Sequence, residues 1–272
     1  MHLEENRKLI FFTRFFLLAL CTGCLYCSIC WFALDQFCFV ETSLVILSVF
    51  YVYVHLTRKS TGVKNNSLKA IIKNLILTFY PKKHLYFTVF LSIVIIMFFT
   101  QNVFYWLFLF VLTCFYSLSL PFLKIRNNPI GKPLFISLCW TLILFEPVLR
   151  MTDFDFQIYL SCIVFLHFFY FFILSVIDDV KDISIVENEF KSLPVKYDFE
   201  KVRIALIILL IVFYISSLFF KPLNNLSFVF FDFLLFASLF VFVFSVKKLS
   251  HTHIWLIELH LGFLGLEYFF LA

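Results

Sequence analysis

Residues 157–182 read QIYLSCIVFLHFFYFFILSVIDDVKD. From Gln157 to Ile177 the only side chain that titrates near neutrality is His167, and the run then breaks into Asp178, Asp179, Lys181 and Asp182. A helix rises 1.5 Å per residue, so about twenty apolar residues cross the ~30 Å hydrocarbon core of a bilayer. The stretch therefore predicts a membrane span whose end is marked by carboxylates.

Working outward, apolar runs of similar length lie at 9–33, 37–56, 85–101, 103–121, 133–150, 203–220, 226–245 and 252–271. With 157–177 they make nine predicted spans. The chain is 62% hydrophobic and 14% charged, whereas soluble domains carry roughly 25% charge. An all-α integral membrane protein is the expected class, with residues 1–272 forming one polytopic domain. The 43 phenylalanines read as tolerance of large apolar side chains towards lipid and not as an aromatic cofactor site.

The first run begins near Ile10, after Met1 to Lys8, and passes twenty residues without a small-residue cleavage site. It reads as a retained span and not as a removed signal peptide. Within it, Cys21, Cys24, Cys27 and Cys30 have the spacing of ferredoxin ligands. Trp31 stands where such a motif carries Pro, and on a helix these thiols form a slowly drifting stripe, so packing is the expected role.

Lys and Arg cluster before the first span, at Arg58 to Lys83, at Lys124 to Lys132, at Lys181 to Arg203 and at Lys247 with Lys248, while the opposite loops hold only Arg150 and Lys221. The positive-inside rule then puts the N-terminus in the cytoplasm and the C-terminus outside. The net charge of +5 is explained by orientation and calls for no nucleic acid. Two inner loops, about 57–84 and 178–202, are long enough to cap the bundle. In the first, Leu68, Ile71, Ile72, Leu75 and Phe79 follow Ser67 at helical spacing and stop at Pro81, predicting an amphipathic helix on the membrane surface.

Asp182 shares a helix face with Asp178 and Asp179. Such carboxylates suit a Mg²⁺ ion that bridges to a substrate phosphate, and they suit a solvated helix end equally well. Lys124 and Arg126, beyond the fourth span, can hold a diphosphate as point charge and fork. Proton-linked transport would draw on His167, Asp232, Glu258 and His260, but no pair of Gly- or Pro-broken helices recurs in two halves. Interhelical hydrogen bonds are the expected role of those four residues.

Tyr116-Ser117-Leu118-Ser119-Leu120-Pro121-Phe122-Leu123-Lys124 ends the fourth span, and Asp179-Val180-Lys181-Asp182 is followed by Lys191-Ser192-Leu193-Pro194-Val195. With nine spans and an enlarged second-to-third loop, these stretches resemble the UbiA superfamily of intramembrane prenyltransferases. The sharp likeness covers about thirty residues. The resemblance implies a nine-helix bundle, Mg²⁺ and transfer of an isoprenoid group from a diphosphate to a lipophilic acceptor. It assigns Asp179, Asp182 and Asp178 to metal, and Lys124, Arg126, Tyr116 and Arg58 to diphosphate; no catalytic side chain is identified. The expected location is a bacterial inner membrane, with membrane lipid or isoprenoid as partner, or another membrane protein.

The family's first Asp-rich motif is missing. The end of the second span reads Tyr51-Val52-Tyr53-Val54-His55-Leu56-Thr57-Arg58-Lys59, and no acidic residue occurs between Glu41 and Glu146. Val186 also stands where the second motif has its third Asp. A catalytically degenerate relative, binding lipid or serving as a membrane subunit, is the alternative expectation.

Overall fold

A computed structural model describes residues 2–59, 84–118, 128–180, 192–220, 226–245 and 255–271. Among the described residues every regular element is helical: α1 (His2–Leu34), α2 (Phe39–Lys59), α3 (His84–Met97), α4 (Val103–Leu118), α5 (Gly131–Leu149), α6 (Phe154–Val180), α7 (Leu193–Tyr197), α8 (Phe199–Phe220), α9 (Leu226–Ser245) and α10 (Trp255–Leu271). All but the short α7 fall on one of the predicted apolar runs. Among the described residues four helices contain stretches long and apolar enough to cross a membrane, namely Phe15–Leu34, Gly131–Leu149, Phe154–Asp179 and Phe199–Phe219. The chain is thus a helical membrane protein.

The third run is shorter as a helix than as apolar sequence. At 14 residues, α3 is about 21 Å long, and it ends in a turn where the Thr100 hydroxyl donates to the Met97 carbonyl at 2.6 Å. The predicted amphipathic helix at 68–79 lies outside the described residues. Of the second cap, α7 is described, with Pro194 in its first turn, where a missing N–H costs nothing.

The chain divides into two compact units, Met1–Cys24 with Cys38–Lys124, and Leu25–Phe37 with Ile125–Ala272. In the first, α2 packs on α3 and α4. A Cβ on Gly23 of α1 would come within 2.3 Å of the Ile46 side chain of α2, so only glycine permits that approach. Rings of Tyr51, Phe90 and Phe110 join α2, α3 and α4 at centroid distances of 6.0 and 5.8 Å.

In the second unit, α6 packs on α5, α7 and α8, while α9 packs on α8 and α10. Asn128 accepts from the backbone N–H groups of Ile130 and Gly131, both at 3.0 Å, and so opens α5. Asp153 accepts from Phe156 N–H at 3.0 Å and caps α6. Within α5, Ser137 and Thr141 donate to the carbonyls of Pro133 and Ser137. Hydroxyls are satisfied in this way where no water reaches them.

Candidate functional site

Helices α5 and α6 form an antiparallel hairpin, because only Arg150 to Asp153 separate them. The Gln157 amide donates to the Val148 carbonyl at 3.0 Å near the connection. The start of α5 is therefore brought beside the end of α6. There Lys132 of α5 forms an ion pair and hydrogen bond with Asp179 of α6. Asp179 is buried at 1% exposure, whereas its neighbour Asp178 is half-buried. Successive helical residues lie about 100° apart, so Asp179 turns into the bundle while Asp178 sits on a more exposed side of the helix.

This geometry gives the two carboxylates different environments. A carboxylate taken from water costs several kcal/mol unless a counter-charge and hydrogen bonds replace the solvent. Lys132 supplies that charge through a flexible stem that keeps its head within reach of water.

Of the other residues expected at this site, Lys124, Arg126 and Asp182 lie outside the described residues, and so do the side chains of Arg58, Lys59 and His55. Tyr116 is buried near the end of α4. Among the described residues no group of three or more His, Cys, Asp or Glu side chains converges to hold a metal. Lys132 already holds Oδ1 of Asp179, so Mg²⁺ at this carboxylate would compete with the ammonium. Lys132 was legible in the sequence only as one more positive-inside charge. The signal that could have singled it out is positional: it opens the fifth span as Asp179 closes the sixth, across a very short connection.

The second unit carries three further groups of buried polar side chains. At the opposite end of the hairpin, Tyr26 of α1 donates to Glu146 of α5 at 2.5 Å, and Arg150 stands 3.7 Å from the same carboxylate oxygen. Midway along α6, His167 Nδ1 is 2.7 Å from the Ile163 carbonyl and 3.3 Å from the Tyr268 hydroxyl of α10. His260 of α10 lies 2.9 Å from the Ser238 hydroxyl of α9. Both histidines thus make the hydrogen bonds expected of polar groups inside a bundle. The side chains of Asp232 and Glu258 lie outside the described residues.

No protein-family model, curated protein or solved structure matches the chain.

Proposed function

We propose that the chain is a divergent relative of the UbiA prenyltransferases, built as a nine-crossing bundle with its N-terminus in the cytoplasm. It holds an isoprenoid diphosphate at the end of the bundle where α5 begins and α6 finishes. The observation that carries this reading is the inward-turned Asp179, buried and paired with Lys132. A merely solvated helix end would leave the carboxylate in water. Here the carboxylate that the resemblance assigns to metal sits instead beside a cation suited to phosphate.

The chemistry follows from exchange of partners at Lys132. As its ammonium moves from Asp179 to the diphosphate, it stabilises the negative charge that grows when the allylic C–O bond breaks. The diphosphate leaves with the bonding electron pair, and the allylic carbon bonds to a nucleophilic atom of the acceptor, which then loses a proton. Mg²⁺ would strengthen the same charge stabilisation if Asp182 completes a site with Asp178 or Asp179.

A second reading, a degenerate relative that binds lipid or joins a larger membrane assembly, is favoured by the same ion pair. Lys132 already neutralises Asp179, and the missing first motif leaves no other acidic residue from 42 to 145 to hold metal. Purified protein in bilayers should bind an isoprenoid diphosphate saturably, and Lys132→Gln should weaken binding about tenfold, the worth of one charge-assisted contact. Mg²⁺-dependent transfer abolished by Asp179→Ala selects the first reading. Absence of transfer to any lipophilic acceptor selects the second, and no binding at all sinks the first. Transfer from short donors to simple aromatic acids is expected to be negligible, because each ~1.4 kcal/mol of lost charge stabilisation costs tenfold in rate.

A further inference from the structure

Outside the hairpin, the turn joining α7 to α8 forms an open groove of about 560 Å³. Lys196, Tyr197, Asp198 and Lys201 line it, with Ile130 opposite. The shape comes from the backbone: Asp198 adopts φ 69° and ψ 132°, a positive-φ turn outside the left-handed α region that few residues other than Gly enter. That turn stops α7 and starts α8 at once, bringing Lys196 and Lys201 to one rim. The Lys196 ammonium lies 4.8 Å from the Tyr197 ring centroid, an arrangement that steadies a long flexible side chain. Lys196, Tyr197, Asp198 and Lys201 are all exposed.

Below the groove, α8 is the barest of the four long apolar helices, with only 28% of its span buried. From Lys201 the exposed positions step through Ala205, Ile208, Val212 and Ile215, a spacing of three and four that keeps them on one helix face. Ala205 to Ile215 covers about 15 Å, half of a ~30 Å hydrocarbon core. One acyl chain of one leaflet matches that length.

We infer that this groove and stripe form a binding site for an anionic phospholipid, with the phosphodiester between Lys196 and Lys201 and an acyl chain along α8. Charge selects the class. Two lysines and one aspartate leave the groove one positive charge in excess, the complement of a lipid bearing a single negative charge. The Lys and Arg distribution puts this end of the bundle on the cytoplasmic side, where basic pockets between spans meet anionic headgroups. Tyr197 sits where an amphipathic ring anchors a helix to the interface. The inference rests on the membrane reading and is independent of prenyl transfer.

The test is native mass spectrometry of the full chain released from bilayers of equimolar phosphatidylglycerol, phosphatidylethanolamine and phosphatidylcholine. Wild type is expected to retain phosphatidylglycerol over phosphatidylcholine by about tenfold, the worth of two lysines near a membrane surface after partial screening. Lys196→Gln with Lys201→Gln should erase the preference, while Lys248→Gln should leave it intact. Lys196 lies in the short α7 and Lys201 in the first turn of α8, and the melting temperature of each variant in phosphatidylcholine alone checks folding. Equal retention of the lipids, or a preference that survives the double substitution, overturns the inference. Displacement of phosphatidylglycerol by millimolar glycerol phosphate would also overturn it, since a free phosphate ester would then suffice.

Discussion

The two ends of the α5–α6 hairpin each bury a carboxylate, yet they solve the cost of doing so differently. Glu146 is fully buried, and one of its oxygens faces both the Tyr26 hydroxyl and Arg150, whose side chain is only 8% exposed. Asp179 is as deeply buried, but its partner Lys132 is 27% exposed. The first arrangement is closed, held by the hydroxyl of a rigid ring and a buried guanidinium. The second has one mobile cation that can exchange a carboxylate for another anion. Closed networks tie helices together, and open ones leave a charge available for binding.

An all-or-none experiment decides whether the two ends lie on opposite faces of the membrane. In a background lacking the native cysteines, a cysteine at Asp153 or Asn224 should react with an impermeant thiol reagent added outside. Cysteines at Lys64 or Glu189 should react only after permeabilisation. Outside labelling at Lys64 would break the nine-crossing topology and the assignment of the Asp179 end to the cytoplasm.

The closed end should show the largest stability loss. Glu146→Ala leaves Arg150 buried without its carboxylate, and removing one member of a buried pair typically costs about 3–5 kcal/mol. Denaturant titration of the purified protein in mixed micelles measures it. Tyr26→Phe removes one hydrogen bond to a charged acceptor and should cost about 1.5–3 kcal/mol. If both substitutions prove neutral, water reaches Glu146 and the contrast between the two ends disappears.

These two sites also show how far the sequence could be read. Apolar runs near twenty residues mark helices because lipid demands internal backbone hydrogen bonding, which is why α1 to α6 and α8 to α10 fall where the runs predict. The length of α3 was less legible, because Phe98 and Phe99 continue the apolar pattern while the backbone has already turned. Asp179 was legible from its place after a span. Its partner was not, since Lys132 looks like any other inner-loop cation until the hairpin brings it across. Tyr26 carried even less signal: it lies 120 positions from Glu146, and nothing in a run of apolar residues says which face of α1 meets α5.

The smallest expected effect lies at the open end and takes the form of a double-mutant cycle. Lys132→Gln leaves Asp179 buried with a neutral neighbour, but its rim is near water, so the loss should be about 1–3 kcal/mol, below that of Glu146→Ala. Asp179→Asn leaves Lys132 free to turn outward along its four-carbon stem and should cost about 1 kcal/mol or less. The double variant should cost no more than Lys132→Gln alone, giving a coupling that only a direct partner can produce. A phosphate-bearing ligand should then separate stability from binding. Asp179→Asn releases the ammonium and is expected to tighten diphosphate binding, whereas Lys132→Gln weakens it, although both destabilise the free protein. Two variants that move stability in the same direction and ligand affinity in opposite directions would identify Lys132 as the exchanging cation. Additive stability losses with unchanged affinity would make this end a second structural clasp like the one at Glu146.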